Sequence, residues 1–308
     1  MEGFDWGEYV AWIVETHGAA AAERICAQRA YADDVTSVER ALRRLRARKN
    51  LAGGSWGARA IATFGLPNAA AERAKWMGAY HSRFTDLPVP LCLDLVRLWD
   101  RPPLSEAPST RTWLAHASCA LRSAVDATPH LRRARASLGQ APPEARAELL
   151  LVEAFVASRE DPSRVPSLLD EVDPILCEQM PDLDRACLRA RLVDQRAYHA
   201  NKTTGDTSAG EALYLAVPIE HAPPFVLARR ANGLAYAKWK QGHRADAAAL
   251  ARESARHAGD GGHLRLRAMA LAMLARITGD EDAAARASSV VASLDDEALA
   301  LRFAPRVS

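Results

Sequence analysis

Apolar residues recur along this chain at helical spacing, and stretches rich in Val, Ile, Thr or Tyr are nearly absent. Trp6, Tyr9, Val10 and Ile13 predict a first amphipathic helix over 6–15, ending at Gly18. A second is expected over 19–31, stopped by the polar turn Ala32-Asp33-Asp34. A third follows over 37–49, capped by Thr36 or Ser37, with Val38, Ala41, Leu42 and Leu45 on its inner face. The residues after Gly54 read as another helix. So do 68–80, opened by Asn68 behind Pro67, and 89–99, which Arg101-Pro102-Pro103 ends.

Beyond residue 106 the pattern becomes a run of helix pairs, expected at 110–122 with 127–138, 143–158 with 162–177, 181–201 with 207–217, 223–240 with 243–257 and 263–277 with 280–293. Pro142-Pro143, Asp161-Pro162, Pro181, Pro223-Pro224 and Gly261-Gly262 punctuate the breaks. Gly205, Gly242 and Gly279 stand 37 residues apart, with small residues (Gly210, Ala247, Ala284) five positions after each. This is the mark of one unit, helix–turn–helix, that buries its apolar face only by stacking on its neighbours.

The best-formed unit, 229–258, has Leu234-Ala235, then Gly242 in the turn, then Ala247 and Ala251 in the second helix. It resembles a tetratricopeptide (TPR) repeat. Composition rich in helix-forming Ala and Arg points to an all-α chain, and the resemblance implies a TPR-like α-solenoid of about five helix pairs over 106–308, behind an N-terminal helical domain over 1–105. It also implies a groove lined by the first helix of each pair. The positions it assigns to that groove are Gln195, His199 and Lys202, then Arg229, Asn232, Tyr236, Trp239 and Lys240, then Met269, Met273 and Arg276. Tyr236 or Trp239 beside Lys240 would anchor an acidic, aromatic partner peptide. The same residues would serve equally well as packing between repeats, and a Met pair at helical spacing is more often core than binding surface.

Six of the ten residues from Arg40 to Lys49 are basic: Arg40, Arg43, Arg44, Arg46, Arg48 and Lys49. A helix with this text, followed by the Gly-rich loop 51–55, resembles the recognition helix and wing of a winged helix-turn-helix. The long turn before it and the helix after Gly54 depart from that pattern. Such a helix would reach phosphates or guanine edges in a major groove; a solvated basic face is the plainer explanation. Gly53-Gly54-Ser55-Trp56-Gly57 spells the G-x-S-x-G nucleophile elbow, but a helix precedes it where that motif needs a strand. His81, Arg83 and Asp86 lie in the stretch 80–86, together with the aromatics Tyr80 and Phe84. They would either bind an anion or form a structural turn in which Asp86 pairs with Arg83 while the aromatics anchor it.

Composition narrows the rest. Six of the seven tryptophans lie within the first 113 residues, which favours an aromatic-cored N-terminal part beside an alanine-packed remainder. The net charge of +2 drives no global attraction to nucleic acid or membrane. Five widely spaced cysteines point to a reducing compartment and to neither a disulfide framework nor a zinc site. No signal-peptide order and no apolar run of about 20 residues is present, so the expected location is cytoplasmic, with no membrane partner. Phosphate-loop, dinucleotide, zinc-protease and kinase motifs are all missing. The expectation is a non-enzymatic adaptor, without cofactor or metal, that binds a protein or peptide in the groove. The alternative is a transcriptional regulator that touches nucleic acid through the basic helix and senses a partner with the array.

Overall fold

The computed structural model describes residues 4–28, 34–107 and 109–303, and every regular element among them is helical. The first four helices are α1 (Trp6–His17), α2 (Ala20–Cys26), α3 (Val35–Arg46) and α4 (Gly54–Phe64). They bury Trp6, Tyr9, Ile13, Ile25, Val38, Leu45 and Ala60 in one core. The polar ends of its aromatics are satisfied: the Trp6 indole donates to Leu51 O at 3.0 Å and the Tyr9 hydroxyl to Gly65 O at 2.8 Å. Gly57 lets α4 lie on the Trp6 ring, where a methyl group would collide. The expected caps of α3 move: the helix begins at Val35 and Asp34 caps it, its carboxylate accepting from Ser37 N at 2.6 Å. The Ala32-Asp33 part of the expected turn lies outside the described residues. Ser55 sits in the first turn of α4 with no strand before it, so the nucleophile-elbow geometry is not formed.

Next come α5 (Asn68–Gly78), a short 3-10 turn (Arg83–Asp86) and α6 (Val89–Trp99). Met77, Phe84, Cys92, Val96 and Trp99 form a core with Ala115 and Cys119, so residues on both sides of position 105 share one interior. Ala115 and Cys119 belong to α7 (Thr110–Arg122), which begins the paired run. The run continues with α8 (Thr128–Ala136), α9 (Pro143–Glu160), α10 (Val165–Asp170), α11 (Val172–Leu176), α12 (Asp182–Thr204) and α13 (Ser208–Leu215). It ends with α14 (Pro224–Lys240), α15 (Arg244–Asp260), α16 (Leu264–Thr278), α17 (Glu281–Leu294) and α18 (Glu297–Phe303). The helix expected over 162–177 is divided in two. Pro166 and Pro174, which lack an N–H, each stand in the first turn of a new short helix.

From α14 to α17 each helix packs on the next, as in a helical repeat. The turn glycines do what their spacing suggests: Gly205, Gly242 and Gly279 have φ of 72°, 87° and 77°, a region other residues enter only with strain. Buried Ala235, Ala247 and Ala251 allow close approach of α14 and α15, while Leu274 and Ile277 fill the next layer. The chain then returns to its own middle, where α18 meets α7 and buried Asp296 pairs with buried Arg122 at 2.9 Å across 174 residues of sequence.

Candidate functional site

The loop between α5 and α6 meets helices far away in sequence, and its chemistry comes from them. The Tyr80 hydroxyl accepts from Arg265 Nη1 at 2.8 Å. The Tyr80 ring lies under the guanidinium groups of Arg191, Arg229 and Arg265 at 4.7, 5.2 and 5.8 Å. Burial pushes the phenol's pKa up, yet the charges of Arg265, Arg229, Arg191 and Arg302 outweigh it, so Tyr80 ends below its ordinary value. These four arginines come from α12, α14, α16 and α18. Three are matched by carboxylates: Arg191 bonds Glu148, Arg229 bonds Asp194, and Arg265 Nε reaches Asp296 at 2.8 Å.

The three expected loop residues are all engaged. His81 Nε2 lies 2.8 Å from buried Asp184, which Lys75 also pairs at 2.8 Å. Asp86 sits 3.7 Å from Arg83, as the structural alternative required. It does more than that. Its Oδ1 accepts from Arg265 N at 3.0 Å and its Oδ2 lies 3.4 Å from His263, so it caps α16 from 179 residues away. Arg83 extends to Gly261 O, and Leu87 O accepts from Arg122 Nη2 at 2.7 Å.

The expected groove residues divide into two sets. Gln195 donates to Leu151 O and Lys202 to Ser158 O, tying α12 to α9, and Arg229 is absorbed by Asp194 and Tyr80. His199 is half-buried, and Asn232 Oδ1 is buried without a hydrogen-bond partner. Met269 and Met273 pack against the apolar layers. The second set comes together: the Tyr236 and Trp239 rings meet edge to face at 6.2 Å. Lys240 Nζ stands 5.9 and 5.1 Å from those two rings, and Arg276 lies 5.9 Å from Trp239. Neither Lys240 nor Arg276 meets a carboxylate among the described residues.

On α3 and in the turn after it, the side chains of Arg40, Arg43, Arg44, Arg46, Arg48 and Lys49 are all exposed. Arg40 and Arg43 reach only backbone carbonyls of their own helix at 3.4 Å, and Arg48 donates to Ala52 O. No group of three His, Cys, Asp or Glu among the described residues is placed to hold a metal ion. All five cysteines are free thiols, and no described helix is long and apolar enough to cross a membrane.

Several residues of the central network escape a motif search: Tyr80, Glu148, Arg191, Arg265, Asp296 and Arg302. A signal for part of it was present. Arg191, Arg229 and Arg265 stand 14, 13 and 14 residues before the turn glycines, one per repeat. No protein family, no curated protein and no solved structure matches the chain.

Proposed function

We propose that the paired helices form a TPR-like solenoid and that the protein is a non-enzymatic adaptor holding a segment of a partner protein. One observation carries this reading: the Tyr236–Trp239 aromatic pair flanked by Lys240 and Arg276, two cations with no carboxylate partner among the described residues. Aromatic rings with neighbouring cations favour a ligand that offers both apolar surface and negative charge. An acidic, aromatic segment meets both demands. In the test, a partner recovered by the wild-type protein is lost when Tyr236→Ala and Trp239→Ala are combined, with helicity by circular dichroism unchanged. Undiminished recovery would refute the groove.

A second reading is favoured by the six exposed cations of α3 and the loop after it, which form no ion pair among the described residues: contact with nucleic acid, which would make the protein a regulator. Labelled duplex DNA and RNA, titrated at low and moderate salt, decide it. A reader loses affinity steeply with salt and loses it again in Arg43→Glu/Arg44→Glu. No binding at low salt ends this reading.

A further inference from the structure

Phe155 on α9 carries two guanidinium groups on its ring. Arg159, one turn along the same helix, stands 4.6 Å from the ring centre, and Arg302 on α18 stands 5.5 Å from it. Stacking fixes the plane of a guanidinium and leaves the N–H groups on its edge free to donate. Among the described residues neither Arg159 nor Arg302 donates a hydrogen bond or meets a carboxylate. Both are open to water, and so is Tyr198, which is 56% exposed and within electrostatic reach of Arg302. Partial burial, then the charges of Arg265 and Arg159, hold Arg302 below the usual arginine range. Like charges are therefore gathered here with no anion between them among the described residues.

The surrounding charges do not supply one. Glu148 is taken by Arg191, Asp194 by Arg229, and Asp296 is shared by Arg122 and Arg265. We propose that Arg159 and Arg302, stacked on Phe155 and open to solvent beside Tyr198, bind the dianionic phosphoryl group of a ligand. Two unmatched cations call for two negative charges. A phosphoryl group has three oxygens to accept from both planar forks and carries up to two negative charges, where a carboxylate carries one. The phosphoryl group has two sources: a phosphorylated segment of the partner, which rests on the groove proposed above, or a small free phosphate ester.

The test uses the full chain at pH 7.5, with Arg159→Gln, Arg302→Gln and the double variant. These positions are exposed, and circular dichroism checks that the fold is kept. Calorimetry with phenyl phosphate and with inorganic phosphate reads the site itself. Fluorescence anisotropy compares a labelled phosphoserine peptide with its unphosphorylated twin. Phenyl phosphate is expected to bind wild type, each single variant to weaken it about tenfold, and the double variant to lose it. A phosphopeptide bound at least about tenfold more tightly than its twin assigns the source to a partner segment. Binding of the two small phosphates without that preference assigns it to a free ester. No binding of phenyl phosphate up to about 1 mM, or equal binding by the double variant, overturns the proposal. Because phosphate binding is read without any partner and in a background that keeps Tyr236 and Trp239, its failure is separable from failure of the groove.

Discussion

Asp296 is the residue whose loss is expected to cost the most. Its side chain is fully buried, and one oxygen, Oδ2, accepts from Arg122 Nε at 2.9 Å and Arg265 Nε at 2.8 Å. The other, Oδ1, accepts from Leu299 N at 2.9 Å and so caps α18. Asp296→Asn keeps a capping oxygen and nearly the same shape but removes the charge. It leaves two guanidinium groups, one 2% and the other 14% exposed, facing each other without an anion. Breaking a buried ion pair from one side costs roughly 3–5 kcal/mol, far more than the intact pair contributes over an apolar replacement. Asp296→Ala removes the cap as well, which adds about 1 kcal/mol.

The penalty falls on the junction of α18 with α7, and a chain of this length need not unfold in one step. Urea unfolding is therefore paired with amide hydrogen exchange, which reads local opening. The amides of α18 and of the end of α17 should lose protection in the Asn variant and lose more in the Ala variant. Protection within about 1 kcal/mol of wild type in Asp296→Asn would refute the charge reasoning. Equal loss in both variants would refute the cap.

Other outcomes follow from single contacts. At Gly233 a methyl group would enter the ring of Tyr214, which is wedged between α13 and α14, so Gly233→Ala should cost about 3 kcal/mol or more by urea unfolding. Gly205→Ala meets open space and only the strain of φ 72°, about 1–2 kcal/mol, and an equal loss at the two sites would contradict this assignment. Burial holds His116 near pKa 4, below its ordinary 6.5, so on acidification the unfolded chain takes up its proton first. Its contribution to stability is full above pH 6.5 and falls between 6.5 and 4; His116→Gln should flatten the slope of unfolding free energy in that window. For Asp184, burial raises the pKa but His81 and Lys75 more than reverse this, leaving it below 3.8. Its contribution is full above pH 3.8 and lost below, and Asp184→Asn should remove that acid-side loss.

The helix pairs were legible because their punctuation is local. A proline opens or breaks a helix, and a glycine at positive φ turns one, whatever lies elsewhere in the chain. The same locality explains why α14 to α17 fall within a few residues of their expected ends, and why the α3 cap shifts only to Asp34. The break at 171 was written in Pro174, and the start at 165 in Pro166, but both were concealed by an otherwise continuous apolar pattern. The central network was not legible in this way. Tyr80 meets Glu148 across 68 residues and Arg265 across 185, distances over which no periodicity carries information. The arginine row at 191, 229 and 265 did repeat, but in a chain with 40 Lys and Arg such a row reads as an ordinary solvated face.

The loop over 79–87 also decides where a ligand is to be sought. Were it a plug that a partner displaces, its departure would expose Phe84, now 0% exposed, and take His81 away from buried Asp184, which would keep only Lys75. It would uncap α16 and take the Tyr80 hydroxyl away from Arg265. The lost cap costs about 1 kcal/mol, exposing Phe84 about 1.5–3 kcal/mol, and each hydrogen bond lost to a charged group about 1.5–3 kcal/mol more. A micromolar ligand supplies about 8 kcal/mol in total, so it would spend most of its affinity on eviction. The loop is better understood as a fixed wall. It commits Arg191, Arg229 and Arg265 to the fold and leaves Arg159 and Arg302 at Phe155, with Lys240 and Arg276 at Trp239, as exposed cations that meet no anion among the described residues.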